Sequence, residues 1–173
     1  GSQVAINGEA AVYFSNKVKS ISGGDVQLRF HEPNALVPSL EVWDAVKNGS
    51  VDAGYTTPGY HAGKIPAVSY FTAVPFGPGA SEYHGWMEYG GGQQLKDRIY
   101  GEYGLKALNC LTHAPETSGW FRKKINNVEE LKGMKMRFFG LGAMVMSKLG
   151  VSTQLLAGGD IYPALEKLSL IHI

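Results

Sequence analysis

Apolar residues recur along this chain in two rhythms, one suited to helices and one to strands. Ala11, Phe14, Val18 and Ile21 lie at helical spacing and predict a helix that Ser22-Gly23-Gly24 brings to an end. Val26, Leu28 and Phe30 then alternate with Gln27, Arg29 and His31, which is the period of a half-buried strand. Ser39 can cap a helix carrying Leu40, Val42, Trp43 and Val46 as far as Gly49, and residues 51–56 form a short apolar run suited to a second strand. Strand, helix and strand joined by short links predict a βαβ unit, whose strands are parallel.

Residues 57–80 are richer in proline and glycine and predict a loop, either lining a cleft or covering packed aromatics. Helices are expected from Ser81 through Tyr83, Trp86 and Met87, and again through Leu95, Ile99 and Tyr100. Residues 105–112 and 117–123 read as extended segments around a bend at Pro115, an arrangement suited to a crossing between two lobes. Asn127 with Glu130 has the spacing of a capping box. Met134, Met136 and Phe138 alternate with Lys135, Arg137 and Phe139, giving a strand that runs into Gly140-Leu141-Gly142. A helix over 143–149, closed by Gly150, and a strand over 151–156 complete a second βαβ unit, and Gly158-Gly159-Asp160 is expected to cap a last helix from Ile161. The two halves begin alike, which predicts two α/β lobes.

Composition narrows the function classes. A chain of 173 residues with 44% hydrophobic and 18% charged content is globular, and sixteen basic against fifteen acidic residues leave a net charge of +1. That balance argues against nucleic acid or an anionic membrane surface as partner. No apolar run reaches the length of a membrane span. Cys110 is the single cysteine, which excludes an internal disulfide and a cysteine-based metal cluster. Residues 107–111 read as a buried strand, where a cysteine serves as a small hydrophobe and not as half of a catalytic pair with His113.

No catalytic constellation is visible. Gly140-Leu141-Gly142 invites a nicotinamide-binding reading, with the chain as an α/β oxidoreductase, but the third glycine of that fingerprint is missing. His31, His61, His84, His113 and His172 are scattered without metal-ligand spacing. Glu129-Glu130 stand at a helix start, where the helix dipole accounts for them. Arg137 is the leading candidate, because an arginine at the end of a parallel strand and just ahead of a glycine turn is placed to reach a ligand crevice. The same spacing also fits a surface arginine on an edge strand.

Three stretches carry a family resemblance: Ser118-Gly119-Trp120-Phe121-Arg122-Lys123-Lys124-Ile125, then Val128 to Arg137 as VEELKGMKMR, then Gly158-Gly159-Asp160-Ile161-Tyr162-Pro163-Ala164-Leu165. Together they resemble the extracytoplasmic solute-binding subunits of TRAP transporters. Phe71 to Gly77 (FTAVPFG), Gly63 to Ala67 (GKIPA) and Tyr89-Gly90-Gly91-Gly92 are similar to the branch that binds 2-oxo acids and related carboxylates. The resemblance runs from about residue 8 to Lys167.

The resemblance implies a periplasmic-binding-protein-like fold of two α/β lobes, here incomplete, with residues 1–115 as the first lobe lacking its initial strand and 116–167 as the start of the second with a hinge strand. It implies a periplasmic receptor, not an enzyme, that delivers a small organic carboxylate to a sodium-coupled TRAP permease and is homodimeric in its full-length form. Arg137 matches the arginine that holds the substrate carboxylate, a task suited to a planar guanidinium. Glu116 falls where this branch has a glutamine that contacts a bound cation; as an acid it suits Na⁺ or Ca²⁺, or else it is a solvated glutamate after Pro115. No other cofactor is implied as required. Tyr60, His61, Phe76 and Trp120 are expected pocket walls, positions where aromatics also serve as core. The chain is expected to be truncated at both ends, its leader lost with the N-terminal part, and residues 168–173 are expected to be a non-native tail.

Overall fold

A computed structural model describes residues 6–167. The expectation of a non-native tail at 168–173 lies outside the described residues. The chain forms two compact units. One ends at Thr56 and resumes over Tyr100–His113; the other comprises Thr57–Ile99 and the chain from Ala114 onward.

In the first unit, helix α1 (Asn7–Ile21) presents Ala11 inward and ends where the Gly24 amide donates to the Lys19 carbonyl at 2.9 Å. Helix α2 (Val42–Lys47) is short, and it buries Trp43 and Ala45. The Trp43 ring meets Tyr100 at a centroid distance of 4.7 Å and the edge of Tyr103 at 5.5 Å, so aromatic packing, more than a sheet, forms this core.

In the second unit, two 3-10 helices, Pro58–His61 and Pro66–Phe71, stand where a loop is expected. Each begins with proline, whose fixed φ and missing N–H suit a first helical position. Thr57 and Thr72 share a hydroxyl–hydroxyl hydrogen bond of 3.0 Å that ties the ends of this strap together. Helix α3 (Ala80–Tyr89) starts with the Gly79 amide donating to the Glu82 carboxylate at 2.8 Å, and its Trp86 stacks on Phe71 at 5.6 Å. Helix α4 (Gly92–Gly101) follows, and its residues 92–99 belong to this unit. Asn127 caps a 3-10 turn, Val128–Leu131, by accepting the Glu130 amide at 3.1 Å.

Strand β1 (Lys135–Arg137), helix α5 (Gly140–Lys148) and strand β2 (Ser152–Gln154) form the second expected βαβ unit. The strands are parallel, with Met136 opposite Thr153 and Arg137 opposite Gln154. Met136 is completely buried while Lys135 is exposed, as the alternation requires. A 3-10 turn at Gly158–Asp160 leads into helix α6 (Ile161–Glu166), and the Asp160 side chain makes no capping hydrogen bond, contrary to expectation.

Other expectations are corrected as well. Among the described residues β1 and β2 make the one ladder, so 26–30, 51–56, 105–112 and 117–123 are not paired as strands. A strand is completed only by a second backbone paired along its edge, and among the described residues no ladder forms there. Cys110 is therefore exposed and free, not buried in a strand.

Candidate functional site

The site grows from the end of β1. Strand alternation puts Arg137 and Phe139 on one face and Met136 on the other. The ladder is extended by Phe138, whose amide donates to the Gln154 carbonyl at 3.1 Å. Two residues later on the β2 side, the Leu156 carbonyl accepts the Arg137 Nε–H at 3.1 Å. Phe139 is extended (φ −141°, ψ 167°) and immediately precedes α5, and the Arg137 guanidinium carbon lies 4.7 Å from its ring centroid. Arg137 is half-buried, and among the described residues its guanidinium makes no hydrogen bond besides the one from Nε. Among the described residues Nη1 and Nη2 thus have no acceptor, and a partly desolvated guanidinium with free donors is chemically suited to an anion.

Tyr60 belongs to the same cluster. Its ring meets Phe139 edge-on at 5.8 Å and 76°. Gly59 lies so close that a Cβ there would overlap Phe139 Cδ2 and Cε2 and come within 3.2 Å of Thr72 Cγ2. The strap and the start of α5 therefore interlock around one phenyl ring.

The remaining candidates lie elsewhere. His61 follows Tyr60 but is only 1% exposed, within the second unit. Phe76 is fully exposed at a positive φ of 56°, on the rim of an apolar groove of about 340 Å³ that Leu141, Met144, Val145 and Lys148 also line. Glu116 is exposed, and Trp120 is 74% exposed. Among the described residues no ring contact or hydrogen bond joins Glu116, Trp120 or Phe76 to Arg137. No three His, Cys, Asp or Glu side chains among the described residues converge as a metal site. Since Ca²⁺ takes about six to eight oxygen ligands, Glu116 alone does not make a cation cage.

Phe139, Gly59 and the Leu156 carbonyl escape the sequence reading. Phe139 had a legible signal: it stands two residues from Arg137 on a strand, the spacing that puts both on one face. The neighbours Gly59 and Leu156 carry no such signal, because only tertiary packing brings them in.

Residues 2–169 match the family of bacterial extracellular solute-binding proteins, family 7 (DctP). A monocarboxylate 2-oxoacid-binding periplasmic protein of a Nostoc species is 39% identical over 153 residues, covering 88% of this chain and 42% of the relative. A TRAP transporter solute-binding protein from Bordetella bronchiseptica, solved with calcium and picolinate, superposes with a TM-score of 0.91 at 35% identity, covering 95% of this chain and 49% of that one. A TRAP periplasmic solute-binding protein from Pseudoalteromonas atlantica, solved with sodium and pyruvate, gives 0.88 at 34% identity over 99% of this chain and 52% of that one. A third, from Colwellia psychrerythraea with calcium and pyruvate, gives 0.90 at 35% identity over 99% of this chain and 52% of that one. The chain spans about half the length of these relatives. Its fold is accordingly that of the α/β periplasmic solute-binding proteins, represented in part. The nicotinamide reading of the Gly140 turn finds no support in these matches.

Proposed function

The chain belongs to the bacterial extracellular solute-binding proteins of family 7, and from that premise we propose that it is part of a periplasmic receptor, not an enzyme, for a small organic carboxylate of the 2-oxo acid type. The receptor delivers its ligand to a sodium-coupled TRAP permease. The observation that carries this reading is the half-buried Arg137 guanidinium, fixed through Nε to a backbone carbonyl with neither Nη hydrogen-bonded among the described residues. Such a group takes a carboxylate end-on, one oxygen on each Nη. The named relatives that bind 2-oxoacids or pyruvate, at 34 to 39% identity, support the ligand class.

Each charge-assisted hydrogen bond contributes about 1.5–3 kcal/mol. Two of them supply a large share of the roughly 8 kcal/mol behind micromolar binding. In the receptor carrying this sequence, Arg137→Ala is expected to abolish pyruvate binding by calorimetry, weakening it by at least about a hundredfold. An unchanged affinity would sink the assignment.

Tyr60, His61, Phe76 and Trp120 remain proposed pocket walls, and the boundary of the lobes near residues 115 and 116 is part of the same proposal. Glu116 is proposed as one oxygen ligand of a Na⁺ or Ca²⁺ ion. The relatives solved with sodium or calcium support that view. Pyruvate titrations with and without added Ca²⁺ test it: with Glu116→Ala, the cation's effect on affinity is expected to fall. The relative from Bordetella bronchiseptica, described as a dimer, supports a homodimeric receptor, which light scattering tests.

A further inference from the structure

We infer that Phe139, seated in the space left by Gly59, is the positioning residue that sets the plane of the Arg137 guanidinium. The inference deepens the carboxylate reading above and rests on it for its consequence in binding, though not for its geometry.

A planar guanidinium held by one hydrogen bond can still swing about that bond. The Nε–H to Leu156 carbonyl contact fixes one point, and the Phe139 face at 4.7 Å supplies the second constraint. Cations are drawn to an aromatic face by the quadrupole of the ring, and Arg can in addition lie flat against it. The ring itself is not free to turn away. Tyr60 meets it edge-on, and the Gly59 backbone approaches so closely that no Cβ fits. Pro58 starts that turn and the Thr57–Thr72 hydroxyl pair closes the strap, so the wall behind the ring is a tied segment and not a loose loop. Gly59 thus acts on the arginine through Phe139, and neither residue need touch the ligand.

The test has two readouts on the full chain. In a ¹⁵N-arginine-labelled sample, the Arg137 Nε–Hε signal, assigned by its loss in Arg137→Lys, is expected to carry two opposed shifts, downfield from its hydrogen bond to Leu156 and upfield from the ring face. Phe139→Leu and Gly59→Ala are each expected to move it downfield as the ring's shielding is lost, and Phe139→Tyr is expected to leave it in place. Pyruvate affinity in the receptor is expected to fall about tenfold in Phe139→Leu, the size of a partly desolvated cation–π contact, and to be kept by Phe139→Tyr. An Arg137 signal that Phe139→Leu does not move overturns the inference, as does one that Phe139→Tyr moves equally. If Phe139→Leu does not fold, Gly59→Ala decides the matter, since it keeps the ring and only displaces it. Should the wild-type receptor ignore pyruvate, the ligand reading falls while the resonance shifts still decide the role of Phe139.

Discussion

Residues 26–56 and residues 134–156 share one order of elements, an alternating apolar run, a short helix and a second apolar run, but they hold together differently. In the second region β1 and β2 pair in parallel, Met136 is fully buried, Val151 is nearly so, and α5 packs on β2. In the first, Val26 is 48% and Leu28 39% exposed, and the core gathers instead around the Trp43 ring. Alternation decides which side chains share a face. It does not supply the second backbone that must accept and donate along the edge. In 134–156 the chain turns back within reach of itself; in 26–56 it does not pair in this way. Apolar side chains at 26 and 28 therefore sit on a face that is only partly covered.

The largest expected effect comes from the centre of the ladder. Met136→Ala is expected to lower stability by about 2–5 kcal/mol, as for large-to-small changes in cores. Val26→Ala is expected to stay within about 0.5 kcal/mol, as for exposed sites. Urea denaturation of both variants breaks the comparison if the two costs are alike.

Hydrogen exchange sharpens the comparison at the level of single amides. Gly133, Phe138 and Ser152 donate to Gly150, Gln154 and Met134 carbonyls at 2.8, 3.1 and 2.8 Å, and are expected to exchange about a hundredfold more slowly than Leu28, Arg29 and Phe30. Comparable rates would show that 26–30 is paired after all.

The smallest effect concerns Tyr55, at the end of the unpaired region. Burial pushes its phenol above the ordinary value near 10, and Cys110 adds to the rise. A raised value means that the folded chain holds the proton longer than the unfolded chain does. The contribution to stability is thus complete below about pH 10 and is lost as pH climbs through the raised value. Titration at 295 nm is expected to show Tyr55 ionising late, and somewhat earlier in Cys110→Ser. A titration curve indifferent to Cys110 would remove the contact between them.

Much of the helical content was legible because caps and glycine stops mark its ends: α1 closes at Gly23-Gly24, and Asn127 caps its turn as expected. The 3-10 turns at 58–61 and 66–71 were not, since proline reads as punctuation even where it begins a helical turn. Cys110 is exposed for the same reason that its segment is unpaired, since an apolar run does not by itself bring a covering layer. At the candidate site Arg137 and Tyr60 were legible by residue type and position. That Phe139 stands between them was half legible from strand spacing, and the fit of Gly59 against its ring was not, because close approach of two distant backbones leaves no trace in local pattern.

The hydrogen bond that holds the Arg137 guanidinium goes to the main chain at Leu156, not to a side chain. A carbonyl oxygen is the same whatever residue carries it. Position 156 can therefore exchange its side chain without breaking that hydrogen bond, whereas the Phe139 ring beside it cannot be exchanged so freely. A contact made through the backbone is thus insulated from sequence change at the very position that makes it.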